Sequence, residues 1–278
     1  MTPKSEMKES KRGHVTHALM IALGTTLAAI GPARAAEDPS ADLAKKLSNP
    51  IASLISVPVK VNWDTGIGSD GADRFTFLFQ PVAPFSLSDD WNLITRTIVP
   101  YIDTESPVIG GGSEAGLGDI TQSFFFSPKA PTNSGWVWGA GPVFLYPSAT
   151  NGMGSGKWGA GLTAVALRQS NGWTTGILAN HIWSFAGREN RGDISLTFLQ
   201  PFVSYTTKGA TTFSLNTEST YDWSNEQWTV PVNVSVSQLV VLDTQPISLS
   251  AGARTYLERP ENGPDWGLSF TVTLLFPT

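Results

Sequence analysis

The 278-residue chain contains no cysteine, which excludes disulfides, thiol nucleophiles and zinc-thiolate sites. It has three histidines, and His14 and His17 lie so near the start that only His181 belongs to the main body. A site built from several histidines is therefore excluded there. Charged residues make up 15% of the chain, against about 25% in typical soluble domains. After residue 35 no apolar run approaches the ~20 residues of a membrane-spanning helix.

The first 35 residues predict a signal peptide that is cleaved on export. Four basic residues lie between positions 4 and 12, and an apolar core follows over 18–30, too short to span a bilayer. Ala33 and Ala35 are the small residues that a signal peptidase requires, so we expect cleavage near Ala35. Cleavage would leave 13 basic against 21 acidic side chains. That acidic balance argues against nucleic acid as a partner.

Residues 36–53 predict a periplasmic N-terminal segment that could contain a short helix. Ser40 is a plausible N-cap, and Pro50 would end the helix. The segment could lie in the periplasm or plug the mouth of the domain that follows, and the sequence favours neither position. Residues 54–278 form that domain.

The rest of the composition favours strands and turns, with 27 Gly, 19 Pro, 10 Trp and 14 Phe. Dividing the chain at its turn signals predicts an all-β fold of about twelve strands, with 10 to 14 allowed. Most strands are close to the ~9–11 residues that cross a bilayer at a tilt. The predicted strands are 54–63, 73–85, 91–102, 116–127, 135–147, 158–169, 172–183, 193–207, 211–223, 227–240, 246–257 and 265–276.

The connections and the tryptophans indicate a membrane barrel. Short turns such as "SNG" and "TKGA" follow the even strands, whereas longer Gly-rich links such as "PSATNGMGSGK" follow most odd strands. This alternation is typical of a transmembrane antiparallel up-and-down β-barrel. All ten tryptophans fall at strand ends, as two interfacial belts require. Those near the short turns are Trp91, Trp136, Trp138 and Trp173, and those near the long links are Trp63, Trp158, Trp183, Trp223, Trp228 and Trp266.

Apolar and polar residues alternate in several strands, most clearly in the last. There Trp266, Phe270 and Phe276 share an apolar face, which we expect to meet lipid while the strand pairs with the first and closes the barrel. The opposite faces predict a polar lumen, because Arg on the lipid face would cost roughly 2–4 kcal/mol. The candidate lumen or binding residues are Arg96, Asn216, Glu218, Asp222, Asn233 and Arg254. They could line an open pore or fill a closed lumen.

No catalytic, cofactor or metal site is predicted. "NGMGSGKW" lacks the first Gly and the Ser or Thr of a phosphate loop. The alternative class is an outer-membrane lipid-hydrolysing enzyme with a Ser/His/Asn set, for which His181, Asn180 and Ser184 are the candidates. Strand alternation sends Asn180 and His181 to opposite faces, which favours interfacial packing of His181 beside Trp183.

Several stretches, among them "QPVAPFSLSDDWNLITRTIVP", "WGAGPVFLYPSAT", "LANHIWSFAG" and "WGLSFTVTLLFP", carry a family resemblance. Residues 48–277 resemble a family of bacterial outer-membrane barrels filed with phenol meta-pathway proteins, labelled "transporter" and sometimes mislabelled neuromedin U. The resemblance implies a non-enzymatic outer-membrane barrel that passes small hydrophobic or aromatic molecules. Expected partners are outer-membrane lipid, the solute and the barrel-insertion machinery. A closed structural barrel remains a further alternative.

Overall fold

The computed structural model describes residues 39–105, 112–150 and 152–277, so the predicted signal peptide lies outside the described residues. One helix, α1 (Pro39–Leu47), precedes the strands, and no helix among the described residues is long and apolar enough to cross a membrane. The strand segments are β1 (Ile55–Ile67), β2 (Ala72–Phe79), β3 (Val82–Ser86), β4 (Trp91–Thr104), β5 (Glu114–Leu117), β6 (Ile120–Pro128), β7 (Trp136–Tyr146), β8 (Lys157–Ser170), β9 (Trp173–Gly187), β10 (Ser195–Thr206), β11 (Thr211–Thr217), β12 (Ser219–Asp222), β13 (Gln227–Leu242), β14 (Gln245–Glu258) and β15 (Trp266–Phe276).

The strands form a closed antiparallel barrel with twelve positions. Each position pairs with the next along the chain, and β1 pairs with β15 from Ile55↔Phe276 to Thr65↔Trp266. Three positions consist of two segments each: β2 with β3, β5 with β6, and β11 with β12. Closure leaves no edge strand with unpaired backbone groups, which a strand in lipid could not tolerate. The predicted fold class is confirmed.

Proline accounts for two of the three interruptions. Pro81 lies between β2 and β3, and the registers of β1 with β2 and β3 place Gln80 opposite Pro58. Glu218 lies between β11 and β12, and the flanking registers place it opposite Pro231 of β13. Because proline has no N–H to donate, the ladder loses bonds at these points while the register continues. The third interruption, between β5 and β6, is a one-residue bulge opposite β4.

The outer surface of the barrel is apolar. On β15 the side chains of Trp266, Phe270, Val272, Leu274 and Phe276 are exposed, whereas Leu275 is completely buried. The same alternation appears on β13, where Val234 and Val236 are exposed and Ser235 and Ser237 are not. The face predicted to meet lipid is therefore the outer face.

Nine of the ten tryptophans contact another aromatic ring at their own end of the barrel. Near the short turns the ring centroids of Trp91 and Trp138 lie 5.9 Å apart, and near the long links those of Trp63 and Trp266 lie 5.6 Å apart. Nine tryptophans have exposed side chains, and Trp63 is partly covered by its aromatic neighbours. This arrangement is compatible with two interfacial belts, a role that stays a prediction.

The largest difference from the predicted strand bounds is in the first hairpin. The sequence placed residues 64–72 in a long link, but β1 continues to Ile67 and the turn covers only 68–71. The polar residues and glycines of "DTGIGSDGA" predicted a loop. In the barrel, however, Asp64 pairs with Arg74 across the two strands. This extension carries Asp64 into the wall of the lumen.

The N-terminal segment packs inside the barrel at the end with the short turns. Ala44 of α1 is buried against Ala210, Leu239 and Leu275, all close to that end. The chain then leads Ile51 deeper, where it is buried among inward-facing strand residues. The sequence left open whether this segment lies in the periplasm or plugs the mouth of the barrel, and these contacts correspond to the plug. The expected N-cap is wrong, because the helix already includes Pro39 and Ser40 lies in its first turn.

The closing strand generates a truncation test. Deleting Leu274–Thr278 removes the β15 partners of Ile55, Ser56 and Val57 and the buried Leu275. We expect this variant to refold with less than about a tenth of the wild-type yield, because one edge can no longer pair. The yield is read from the heat-dependent shift in gel migration that folded barrels show. Deletion of Pro277–Thr278 alone should fold normally, and normal folding of the longer deletion would contradict the closure.

Candidate transport lumen

An ion-pair network at Asp64 lies on the lumen face near the long links. Arg254 donates from Nε to Asp64 Oδ1 at 2.7 Å and from Nη2 to Oδ2, and Arg74 Nη2 approaches Oδ2 at 3.3 Å. The hydroxyl of Tyr256 donates to Oδ1 at 3.0 Å. The Asp64 side chain is 1% exposed, so the carboxylate is held by three neighbours instead of water. Such full pairing is what makes a buried charge tolerable.

Gly267 allows this network to form. Arg254 on β14 reaches Asp64 on β1 across the intervening strand β15, and both residues pair with Gly267 in the ladder. A Cβ at position 267 would lie 2.6 Å from Asp64 Oδ1 and 3.2 Å from Arg254 Nε. The distance to Asp64 Oδ1 is shorter than real Cβ contacts allow, and the distance to Arg254 Nε is tighter than most of them. The glycine therefore leaves the gap through which the two side chains meet.

A second ion pair crosses the lumen. Lys60 Nζ on β1 lies 3.3 Å from Oε1 of Glu218, which is separated from β1 by β15, β14 and β13. A contact over three intervening strands can only run through the interior. Glu218 also interacts electrostatically with Arg96 and Arg254. Glu218 thus connects the Asp64 network with the opposite part of the lumen.

The other predicted lumen residues occupy two kinds of position. Asn233 donates to Asn216 Oδ1 at 3.0 Å, and Arg96 donates to Gln80 Oε1 at 3.0 Å, both on the inner face. Asp222 does not join them, because its carboxylate accepts the backbone N–H groups of Ser224 and Asn225 at 2.9 and 3.1 Å. It caps the β12–β13 turn. A functional role for these residues remains a prediction.

The lumen wall formed by β3 to β10 carries an apolar cluster, although Arg96 and Asn92 of β4 also face inward there. Ile51 of the N-terminal segment packs against a cluster of inward-facing residues: Ile94, Phe125, Val165, Leu167 and Leu178, with Val82, Val137, Phe198 and Phe202 beside them. The prediction of a polar lumen therefore describes only one side of it. Apolar residues on both faces also explain why the alternation is unclear in the third, fifth and sixth predicted strands.

A cavity of about 250 Å³ lies between the N-terminal segment and the barrel wall. Its lining combines polar residues, such as Gln80, Arg96 and Asn216, with Val82 and Phe202 from the apolar side. The cavity is open to solvent and therefore accessible to a small molecule. Within the described part of the lumen it is a candidate site for a solute.

His181 lies on the outer face near the long links. Its Nδ1 is 2.7 Å from Thr197 Oγ1, its Nε2 is 3.5 Å from Ser195 Oγ, and its ring centroid is 4.0 Å from that of Trp183. Ser184, suggested by the sequence as a possible partner, instead bonds the backbone N–H of Ile194 at 2.9 Å. Packing beside Trp183 agrees with the interpretation from the sequence, but the contact with Ser195 was not foreseen.

Side chains anchor the links that follow β7 and β9 to residues near the rim of the barrel. Asp119 Oδ2 accepts the backbone N–H and the hydroxyl of Ser155, both at 2.6 Å. Lys157 Nζ lies 2.9 Å from Asp193 Oδ1, and this hydrogen bond and positive charge hold the pKa of Asp193 below its usual range. A depressed pKa means that the contact favours the folded state above about pH 4 and is lost as the pH falls through the lower folded-state value. These links are thus anchored near the rim at neutral pH.

Among the described residues, no group of three or more His, Asp or Glu side chains could hold a metal ion. Most charged side chains of the lumen are paired with one another, whereas Arg96 bonds the neutral Gln80. Its chemistry is therefore that of charge, hydrogen bonding and apolar contact.

Comparison with solved structures shows the fold. An outer membrane channel from Pseudomonas putida F1 superposes with a TM-score of 0.64 at 14% identity, covering 81% of this chain and 96% of that one. Outer membrane phospholipase A from Escherichia coli gives a TM-score of 0.49 at 10% identity, covering 78% and 92%. The β domain of the Bordetella autotransporter BrkA gives 0.47 at 12%, covering 81% and 100%. No family model and no curated protein matches the chain.

Four lumen residues were not predicted from the sequence: Lys60, Asp64, Tyr256 and Ile51. A usable signal was present on the first strand, where Val57, Val59, Val61 and Trp63 alternate with polar residues that include Lys60 and Asp64. Asp64 was not recognised as a lumen residue because it was assigned to a loop. The position of Ile51 has no comparable signal, since no local pattern indicates that this segment folds into the lumen.

Substituting Gly267 tests the Asp64 network. We expect Gly267→Ala to lower the free energy of unfolding by about 1–3 kcal/mol, the usual effect of overpacking, because the new Cβ collides with Asp64 and the Trp63 carbonyl oxygen. Denaturant unfolding in detergent, followed by tryptophan fluorescence, measures the change. Gly192→Ala is the matched control, since a Cβ there meets no heavy atom within 4 Å. Equal stabilities of the two variants would show that the gap at Gly267 is unimportant.

Proposed function

We propose that this chain is an outer-membrane channel that passes small, hydrophobic or aromatic molecules. The observation that carries the proposal is the solvent-accessible cavity inside a closed barrel whose outer surface is apolar. The fold shared with the Pseudomonas putida channel supports it, as does the resemblance to the transporter family filed with phenol meta-pathway proteins. Export by a signal peptide cleaved near Ala35 and assembly by the barrel-insertion machinery are part of the same proposal.

The apolar wall supports the choice of solute class. A small hydrophobic molecule that enters the cavity can contact Val82 and Phe202 while its polar groups face Gln80 or Asn216. Binding sites for small molecules are commonly built in this way, with mainly apolar linings and a few polar groups that orient the ligand. A uniformly polar pore would offer such a molecule no favourable contact.

The N-terminal segment controls passage in this proposal. Ile51 fills the apolar side, Asn92 Nδ2 donates to Ser53 Oγ at 2.8 Å, and Gln169 Nε2 donates to the Lys45 carbonyl oxygen at 2.8 Å. These contacts hold the segment within the short-turn end. Solute must pass beside it or displace it.

Removing the segment is therefore the direct test of passage. In planar bilayers, a refolded chain that begins at residue 55 should conduct at least several times more current per channel than one that begins at residue 36, because the lumen is no longer obstructed. The heat-dependent gel shift confirms that both forms are folded. A flat current trace from both forms would contradict the channel and favour a closed structural barrel.

The second candidate function, lipid hydrolysis, has the 3.5 Å approach of Ser195 to His181 in its favour. A serine hydrolase also needs a group that orients the histidine and donors that stabilise the oxyanion. Here Nδ1 faces the hydroxyl of Thr197, which already accepts the indole N–H of Trp223 at 2.9 Å. A neutral hydroxyl stabilises the imidazolium far less than a carboxylate does, so the contact is better explained by interfacial packing.

We expect the purified chain to release no fatty acid from phospholipid micelles above the rate of a His181→Ala variant, with or without calcium. Free fatty acid measured over time gives both rates. Hydrolysis by the wild type that disappears in His181→Ala and Ser195→Ala would make the chain an enzyme. Ser184→Ala is the control, since Ser184 lies away from the imidazole.

A further inference from the structure

Arg96 is the basic group of the lumen whose charge is least satisfied. A guanidinium has five N–H donors, and Arg96 makes one side-chain hydrogen bond to protein, with the neutral Gln80. Among the described residues it has no carboxylate within ion-pair distance. Burying a charge is costly unless it is paired, so this position favours a bound anion.

The carboxylates nearby are already occupied. Asp64 is paired with Arg254 and Arg74, and Glu218 is paired with Lys60. In this group of interacting side chains four are basic and two are acidic, so the group carries excess positive charge although the whole chain has a net charge of −5.

The cavity beside the N-terminal segment concentrates this charge. Arg96 and Lys46 are the charged residues in its lining, and both are basic. The lining also contains Ser204, which is 6% exposed and whose hydroxyl has no hydrogen-bond partner among the described residues. Two polar groups of one cavity thus have unused hydrogen-bonding capacity, while Val82 and Phe202 offer apolar contact.

We propose that this cavity is a binding subsite for small monocarboxylates with an apolar body, in which Arg96 holds the carboxylate. A planar guanidinium matches the two oxygens of a carboxylate, and the apolar body lies against Phe202 and Val82. One incompletely paired guanidinium suits a single negative charge better than a phosphate dianion. The inference rests on the proposed function, because it specifies the solute that the channel admits.

Calorimetry of the refolded chain in detergent at pH 7 tests the subsite without requiring passage. Three probes separate its parts: benzoate has the charge and the ring, benzamide has the ring without the charge, and acetate has the charge without the ring. We expect benzoate to bind at least about tenfold more tightly than benzamide, the size of effect that one charge-assisted hydrogen bond supplies. Benzoate should also bind at least about tenfold more tightly than acetate, because its ring buries additional apolar surface.

Two variants then test separately the contact with the carboxylate and the contact with the ring. Arg96→Gln should abolish the preference for benzoate over benzamide, and Phe202→Ala should reduce the preference for benzoate over acetate. Arg168→Gln is the matched control, because Arg168 is exposed and pairs with the outward-facing Trp136. The gel-shift assay shows that each variant is folded. Arg96→Lys should keep part of the preference, since it keeps the charge.

The outcomes separate this inference from the channel. Equal affinities of wild type and Arg96→Gln for benzoate, or equal affinities of the wild type for benzoate and benzamide, would overturn the subsite even if the barrel conducts. Benzoate binding that depends on Arg96, in a barrel whose full-length and truncated forms give no current, would support the subsite and overturn the channel.

Discussion

The ladder between β1 and β15 is the interaction on which the rest of the structure depends. It pairs residues 55–65 with residues 266–276 and converts a twisted sheet into a closed surface. Without it, two edges would expose unpaired backbone groups to an apolar surrounding. With it, alternate residues are divided into an outer apolar face and an inner face, and side chains from distant strands can meet.

Closure also explains why the ion pairs of the lumen are possible. Asp64 and Arg254 belong to strands at opposite ends of the sequence, and they become near neighbours only when β15 lies between them. Gly267 on that strand leaves the space for their contact. The pair in turn links β1 to β14 across the closing strand. Gly267 therefore links the closure of the backbone to the ion pairs of the lumen.

The lumen has two different sides because two different constraints act on it. Strands β11 to β2 carry charges that are stable there because they pair with one another. The wall from β3 to β10 carries the apolar cluster that packs against Ile51 of the N-terminal segment, and Arg96 of β4 faces the cavity beside it. A cavity with both kinds of lining remains where the two sides meet. This asymmetry distinguishes the interior from a uniformly polar pore.

Much of the fold could be predicted from the sequence, because strand length, turn chemistry and the position of tryptophan are local signals. The apolar face of the last strand and the count of twelve both follow from such patterns. Asp64 was placed in a link because its neighbours are turn formers, and the long β1 depends on cross-strand pairing that no local pattern records. Ile51 was not predicted as a lumen residue for a similar reason, because its burial depends on a tertiary contact with residues from other strands.

The central claim is that the inner face of the barrel borders water and the outer face borders lipid. Because the chain has no cysteine, single cysteines can report on each face without interference. Asn216→Cys lies in the cavity lining, and Val234→Cys replaces an exposed residue in the middle of β13. In reconstituted liposomes, a charged, membrane-impermeant thiol reagent should modify the cysteine at 216 at least tenfold faster than the one at 234. Faster modification at 234 would contradict the account.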